Sequence, residues 1–120
     1  ARILPSDLVR EISAPRLLLR TDTFPDPNYF NEDFASLSAE LVEHLAGHGV
    51  RLVGIDTPSV DLFADKRLES HNAIAKHNMG VLEGIVLGHV SDGLYTLIAL
   101  PLRLDNADAS PVRAALLKED

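Results

Sequence analysis

Short apolar runs of strand length alternate along this chain with stretches of helical period, and that alternation narrows the possible folds more than any other feature. Arg16-Leu-Leu-Leu-Arg20, after Pro15, reads as a strand. From Ser36 the period lengthens. Leu37, Leu41, Leu45 and Ala46 recur at helical spacing until Gly47 and Gly49 stop the helix. Val50-Arg-Leu-Val-Gly-Ile55 is β-rich and runs into Asp56-Thr-Pro-Ser-Val-Asp61, a turn sequence. Residues 70–77 form a short helix halted near Asn78 and Gly80, and 81–87 and 95–102 are strands separated by a turn at Ser91-Asp-Gly93. A short helix is expected over 6–12 with Ser6 as N-cap, and a helical turn from Ser110 with Pro111 at its first position. The alternation implies an α/β layer with parallel strand pairs joined by helices. No repeat, low-complexity tract or domain boundary is evident, so residues 1–120 read as one domain or part of one.

Composition closes off several classes of function. A net charge of −7 argues against nucleic acid and anionic membrane surfaces as partners. No apolar stretch reaches the roughly 18 residues of a membrane span. With no cysteine there is neither a disulfide frame nor a thiolate metal site, so any metal must use His, Asp or Glu. The cytoplasm is the expected compartment. No nucleophile elbow, P-loop, dinucleotide fingerprint or zincin helix is present. The chain opens on Ala1 in mid-protein style, which suggests a fragment.

Glu83 interrupts the apolar run Val81-Leu-Glu-Gly-Ile-Val-Leu87. A carboxylate inside a buried strand needs a cationic partner, and a metal ion would serve. His71, on the short helix before it, is a matching borderline ligand. The bland alternative is a strand carboxylate turned to solvent, and two ligands fall short of the three that a catalytic zinc takes. The remaining candidates have ordinary explanations beside functional ones. His44 and His48 could chelate at i, i+4 or simply line a polar helix face. His77 and His89 sit at element ends. Asp56 and Asp61 bracket a strand end, a frequent ligand position that turn and cap duties also explain. Phe24, Tyr29, Phe30 and Phe34 crowd an acidic, proline-bearing loop that could wall a substrate or pack on itself.

Taken together, Arg51-Leu-Val-Gly-Ile-Asp-Thr-Pro-Ser-Val-Asp61, the pair His71 and Glu83, Leu97-Ile-Ala-Leu-Pro-Leu102 and Asp108-Ala-Ser-Pro-Val-Arg113 resemble the bacterial kynurenine formamidases, within the metal-dependent cyclase-like hydrolases. The resemblance covers about residues 14–116. It implies an α/β fold of the swivelling β/β/α cyclase type, represented by its C-terminal portion. It also implies a homodimer that hydrolyses N-formyl-L-kynurenine to kynurenine and formate in tryptophan breakdown. Its metal centre is a zinc site, two ions when complete, for which His71 matches a histidine ligand and Glu83 a glutamate ligand. The family's His-x-Gly-Thr-His-x-Asp-x-Pro-x-His segment, which supplies the other ligands and the general base, has no counterpart in these residues. No catalytic base is therefore assigned. The competing readings are a non-catalytic binding or dimerisation module built on the aromatic loop, and a related cyclase-family amidohydrolase with another substrate.

Overall fold

Three parallel strands form the sheet that positions the site: β2 (Arg16–Leu19), β4 (Leu52–Ile55) and β5 (Gly80–Leu82), in the order β2-β4-β5. The computed structural model describes residues 1–118. Leu17 faces Val53 across one strand pair, and Val53 faces Val81 across the other. Residues 20–51 connect β2 to β4 through the helix α1 (Ala39–Gly47), and α2 (Glu69–Lys76) precedes β5. The expected parallel layer joined by helices is present. Two short strands too brief to leave a periodic signal in the sequence, β1 (Arg2–Ile3) and β3 (Ser36–Leu37), also pair in parallel.

Helix α1 starts where Ser38 accepts the amide of Leu41 on its hydroxyl, a cap worth about 1 kcal/mol. It stops at His48, ahead of Gly49 at φ 82°. Its buried face of Leu41, Val42 and Leu45 packs with Leu37, Val50, Val53, Ile55, Val60, Ala73 and Ile74 in one apolar core. Leu37, read as part of the helical stripe, belongs instead to β3.

Three expectations are corrected. Residues 6–12 are not a helix. A single 3-10 turn covers Pro5–Asp7, closed by the Asp7 carboxylate accepting the Leu4 amide at 2.7 Å. The strand expected over 81–87 ends at Leu82, because Gly84 takes φ 69° and leaves the ladder. The segment from Ser110 is not helical but extended. The strand β7 (Val112–Lys118) pairs antiparallel with β6 (Tyr95–Pro101), setting Ala114 opposite Ala99. Cross-strand pairing here overrides a good local helix start.

The chain divides into two units, 1–89 and 90–120. The three-stranded sheet, both helices and every candidate site residue lie in the first. Within the described residues, the second contains the two-stranded ribbon of β6 and β7.

Candidate functional site

The loop between β4 and α2 builds the site. After Ile55 the chain runs through Thr57, whose hydroxyl donates to the carbonyls of Ala35 and Ser59, to Val60 and Asp61 at the base of the core. Asp61 is 1% exposed and accepts four donors. Its Oδ1 receives the Ser70 amide (2.9 Å) and Arg2 Nη1 (3.0 Å). Its Oδ2 receives the His71 amide (3.0 Å) and His71 Nδ1 (2.7 Å). Burial alone would push this carboxyl up. The amides of His71 and Ser70, the His71 ring and the Arg2 guanidinium outweigh it and hold the group at about 2.

An ionised Asp61 can only accept, so Nδ1 of His71 must carry a proton in that contact, and in the neutral imidazole the lone pair is then on Nε2. Nε2 lies 3.5 Å from Oε2 of Glu83. The same oxygen accepts the Val60 amide at 2.8 Å, while the Gly84 amide donates to the Thr57 carbonyl. Glu83 is therefore held by the loop that carries Asp61. It is not the strand-embedded acid expected from the sequence. It follows β5, and its side chain is 29% exposed, so burial imposes no need for a cation.

The donor chemistry fits half of a metal site. Two atoms bound tetrahedrally to one zinc at about 2.0–2.1 Å stand about 3.4 Å apart, close to the observed 3.5 Å. Among the described residues there is no group of three or more His, Asp or Glu side chains able to hold an ion. The site as it stands offers one imidazole nitrogen and one carboxylate, with Asp61 orienting the imidazole in the usual carboxylate–histidine arrangement of metal proteins.

The other candidates fall elsewhere. His44 and His48 stack with ring centroids 4.2 Å apart at the end of α1, and the His48 ring bonds the His44 carbonyl. His77 meets Glu43 across the two helices, where Lys76 Nζ also reaches Glu43. Hydrogen bonds from Lys76 and His77 hold the Glu43 carboxyl below its ordinary value. His89 is exposed. Asp56 has the capping duty: it accepts the Thr21 amide and hydroxyl and the Asp22 amide, fixing the start of the aromatic loop. In that loop Phe24, Phe30 and Phe34 pack edge-on, and Phe63 joins Phe30 at 5.8 Å. Phe34 is buried, whereas Tyr29, Phe30 and Phe63 stay more than half exposed. Two participants escape sequence reasoning. Phe63 lies outside the aromatic cluster of the sequence. Arg2 precedes every recognisable motif, and no periodic signal marks either.

No family model matches the chain. Curated relatives do, two kynurenine formamidases among them. That of Bordetella pertussis (strain Tohama I) is 48% identical over 116 residues, 95% of this chain and 56% of the relative. That of Bacillus cereus (strain ATCC 10987) is 50% identical over 101 residues, 84% of this chain and 48% of the relative. The chain thus spans about half the length of the curated relatives it matches. Among solved structures, one titled a potential metal-dependent hydrolase with cyclase activity superposes with a TM-score of 0.86 at 27% identity, over 96% of this chain and 57% of its own. A predicted metal-dependent hydrolase from Bacillus stearothermophilus gives 0.85 at 26% identity, over 96% and 56%. No helix among the described residues is long and apolar enough to cross a membrane. Sequence and fold agree: over most of its length this chain is similar in sequence to kynurenine formamidases and in fold to a potential metal-dependent hydrolase with cyclase activity.

Proposed function

We propose that this chain is the C-terminal part of a zinc-dependent arylformamidase, a cytoplasmic homodimer that cleaves N-formyl-L-kynurenine to kynurenine and formate. The observation that carries the reading is the convergence of His71 Nε2 and Glu83 Oε2 at 3.5 Å, with the far side of the imidazole bonded to Asp61. The names of the relatives support the substrate, and those of the structural neighbours support a metal.

His71 and Glu83 would hold the ion, as two members of a larger set. When bound, zinc supplies Lewis acidity toward an amide carbonyl and toward water. This chain's residues prepare for it. Asp61 keeps the proton on Nδ1 and the lone pair on Nε2. The Val60 amide holds the Glu83 carboxylate so that its charge faces the imidazole. A neutral imidazole and one carboxylate leave a divalent ion electron-poor, as hydrolysis requires, whereas thiolates would not. The general base lies outside these residues and is assigned to the segment that the relatives have in addition.

The test is metal content and hydrolysis in the full-length protein. It should bind zinc, release formate from N-formyl-L-kynurenine, and lose activity to a chelator with recovery on zinc addition. His71→Ala and Glu83→Ala should each lower zinc content. A chelator-resistant enzyme, or unchanged zinc in both variants, refutes the proposal. A second reading, a binding module, draws on the exposed rings of Tyr29, Phe30 and Phe63; unchanged zinc together with oligomerisation sensitive to Phe30 would favour it.

A further inference from the structure

Arg2 stands behind the site, and the metal reading above makes no use of it. Its side chain is 18% exposed. Nη1 donates to the Leu37 carbonyl (2.6 Å), to Asp61 Oδ1 (3.0 Å) and to Ser70 Oγ (3.3 Å). Nη2 donates to Asp65 Oδ2 (2.6 Å), and Nε lies 3.1 Å from Glu69 Oε1. One planar cation therefore ties β3, the loop that carries Asp61 and Asp65, and the first turn of α2.

The two oxygens of Asp61 do different work. Oδ2 takes the amide and ring of His71, while Oδ1 takes Arg2 and the Ser70 amide. The carboxylate plane cannot turn without losing donors on both sides. Its Oδ1 anchor thus fixes the direction in which Oδ2 accepts, and that direction fixes the His71 ring. Arg2 also compensates the charges of Asp65 and Glu69, which would otherwise stand unneutralised beside Asp61.

We infer that Arg2 is a positioning residue of the metal site: through Asp61 it holds the His71 ring in the tautomer and orientation that leave Nε2 free beside Glu83. This rests on the reading of His71 and Glu83 as ligands. Lysine is no substitute, because a single ammonium cannot reproduce a planar fork that serves three carboxylates and a carbonyl at once.

The experiment uses the full-length protein carrying R2Q, R2K, D61N, R2Q with D61N, or H71A, each checked for folding by circular dichroism. Two quantities are read: the zinc Kd by competition with a chromogenic chelator, and the His71 ring tautomer by nitrogen NMR of the metal-free protein. R2Q should raise the zinc Kd by about 10- to 100-fold, the range for groups that orient a ligand. R2K should recover little of that loss. The metal-free R2Q protein should lose Nδ1–H population. The double variant should bind no more weakly than D61N alone, because Arg2 acts through Asp61. Should R2Q fail to fold, R2K decides. A zinc Kd within two-fold of the parent in the deciding variant overturns the inference, as do R2Q and D61N losses that multiply. If H71A weakens zinc while R2Q does not, Arg2 alone is misassigned; if H71A binds zinc as the parent does, the ligand reading falls and this inference with it.

Discussion

Asp61 caps the helix that Leu68 opens. Leu68 sits in left-handed backbone at φ 52°, ψ 49°, and no side-chain cap is made at that position. The Asp61 carboxylate takes over from the preceding loop by accepting the amides of Ser70 and His71. Replacing Asp61 with Ala should therefore lower the unfolding free energy by about 3 kcal/mol, since the cap is lost and the half-buried Arg2 loses one of its three carboxylate partners. Urea denaturation at neutral pH measures this, and a loss below about 1 kcal/mol would contradict it.

The same carboxylate sets an acid limb. Its pKa is held at about 2 against an ordinary 3.8. A group whose folded value is depressed stabilises the fold above its unfolded pKa and withdraws that support as pH falls toward the folded one. Stability should thus decline between about pH 4 and pH 2, by about 2 kcal/mol from this group. In Asp61→Asn that part of the decline should vanish, leaving a shallower acid transition. Thermal melts at stepped pH test this, and parent and variant curves that run parallel would refute the assignment.

The central sheet and both central helices were legible in the sequence because each has a local signal: β-rich runs at 16–20 and 50–55, and the Leu41 and Leu45 period. What was not legible depends on distant partners. Ser110-Pro-Val-Arg-Ala-Ala has a good helix start, yet its register with β6 makes it a strand. Glu83 looked buried because its neighbours are apolar, but Gly84 at positive φ ends the strand first. The proximity of His71 and Glu83 was inferable from the resemblance. The contact of Asp61 with His71, 10 residues on, and that of Arg2 with Asp61, 59 residues on, were not, because neither spacing makes a local pattern.

Within the aromatic loop, burial separates anchor from surface. Phe34 is 2% exposed and Phe30 is 55% exposed, although the two rings touch. Phe34→Ala should cost about 3–4 kcal/mol through the cavity left in the core. Phe30→Ala should cost less than about 1 kcal/mol. Equal losses in chemical denaturation would mean that the loop packs as one unit.

Glu83→Gln separates charge from shape. The amide oxygen can still accept the Val60 amide, so the metal-free protein should unfold within about 0.5 kcal/mol of the parent. Zinc affinity should nevertheless fall by at least about 10-fold, because the anionic donor is gone. Calorimetric titration with zinc supplies the comparison, and parental affinity in the variant would remove Glu83 from the ligand set.

The ribbon of β6 and β7 has a practical consequence for handling the protein. Leu94, Leu100, Leu102 and Leu117 are all more than half exposed, and β6 and β7 form a sheet of two strands, so each is an edge strand. Such an edge is a template on which another polypeptide can add its own hydrogen-bonded row. Preparations of these 120 residues in isolation will be limited by precipitation before they are limited by chemistry, and lysine substitutions along the outer margin of β7 are the place to begin restoring solubility.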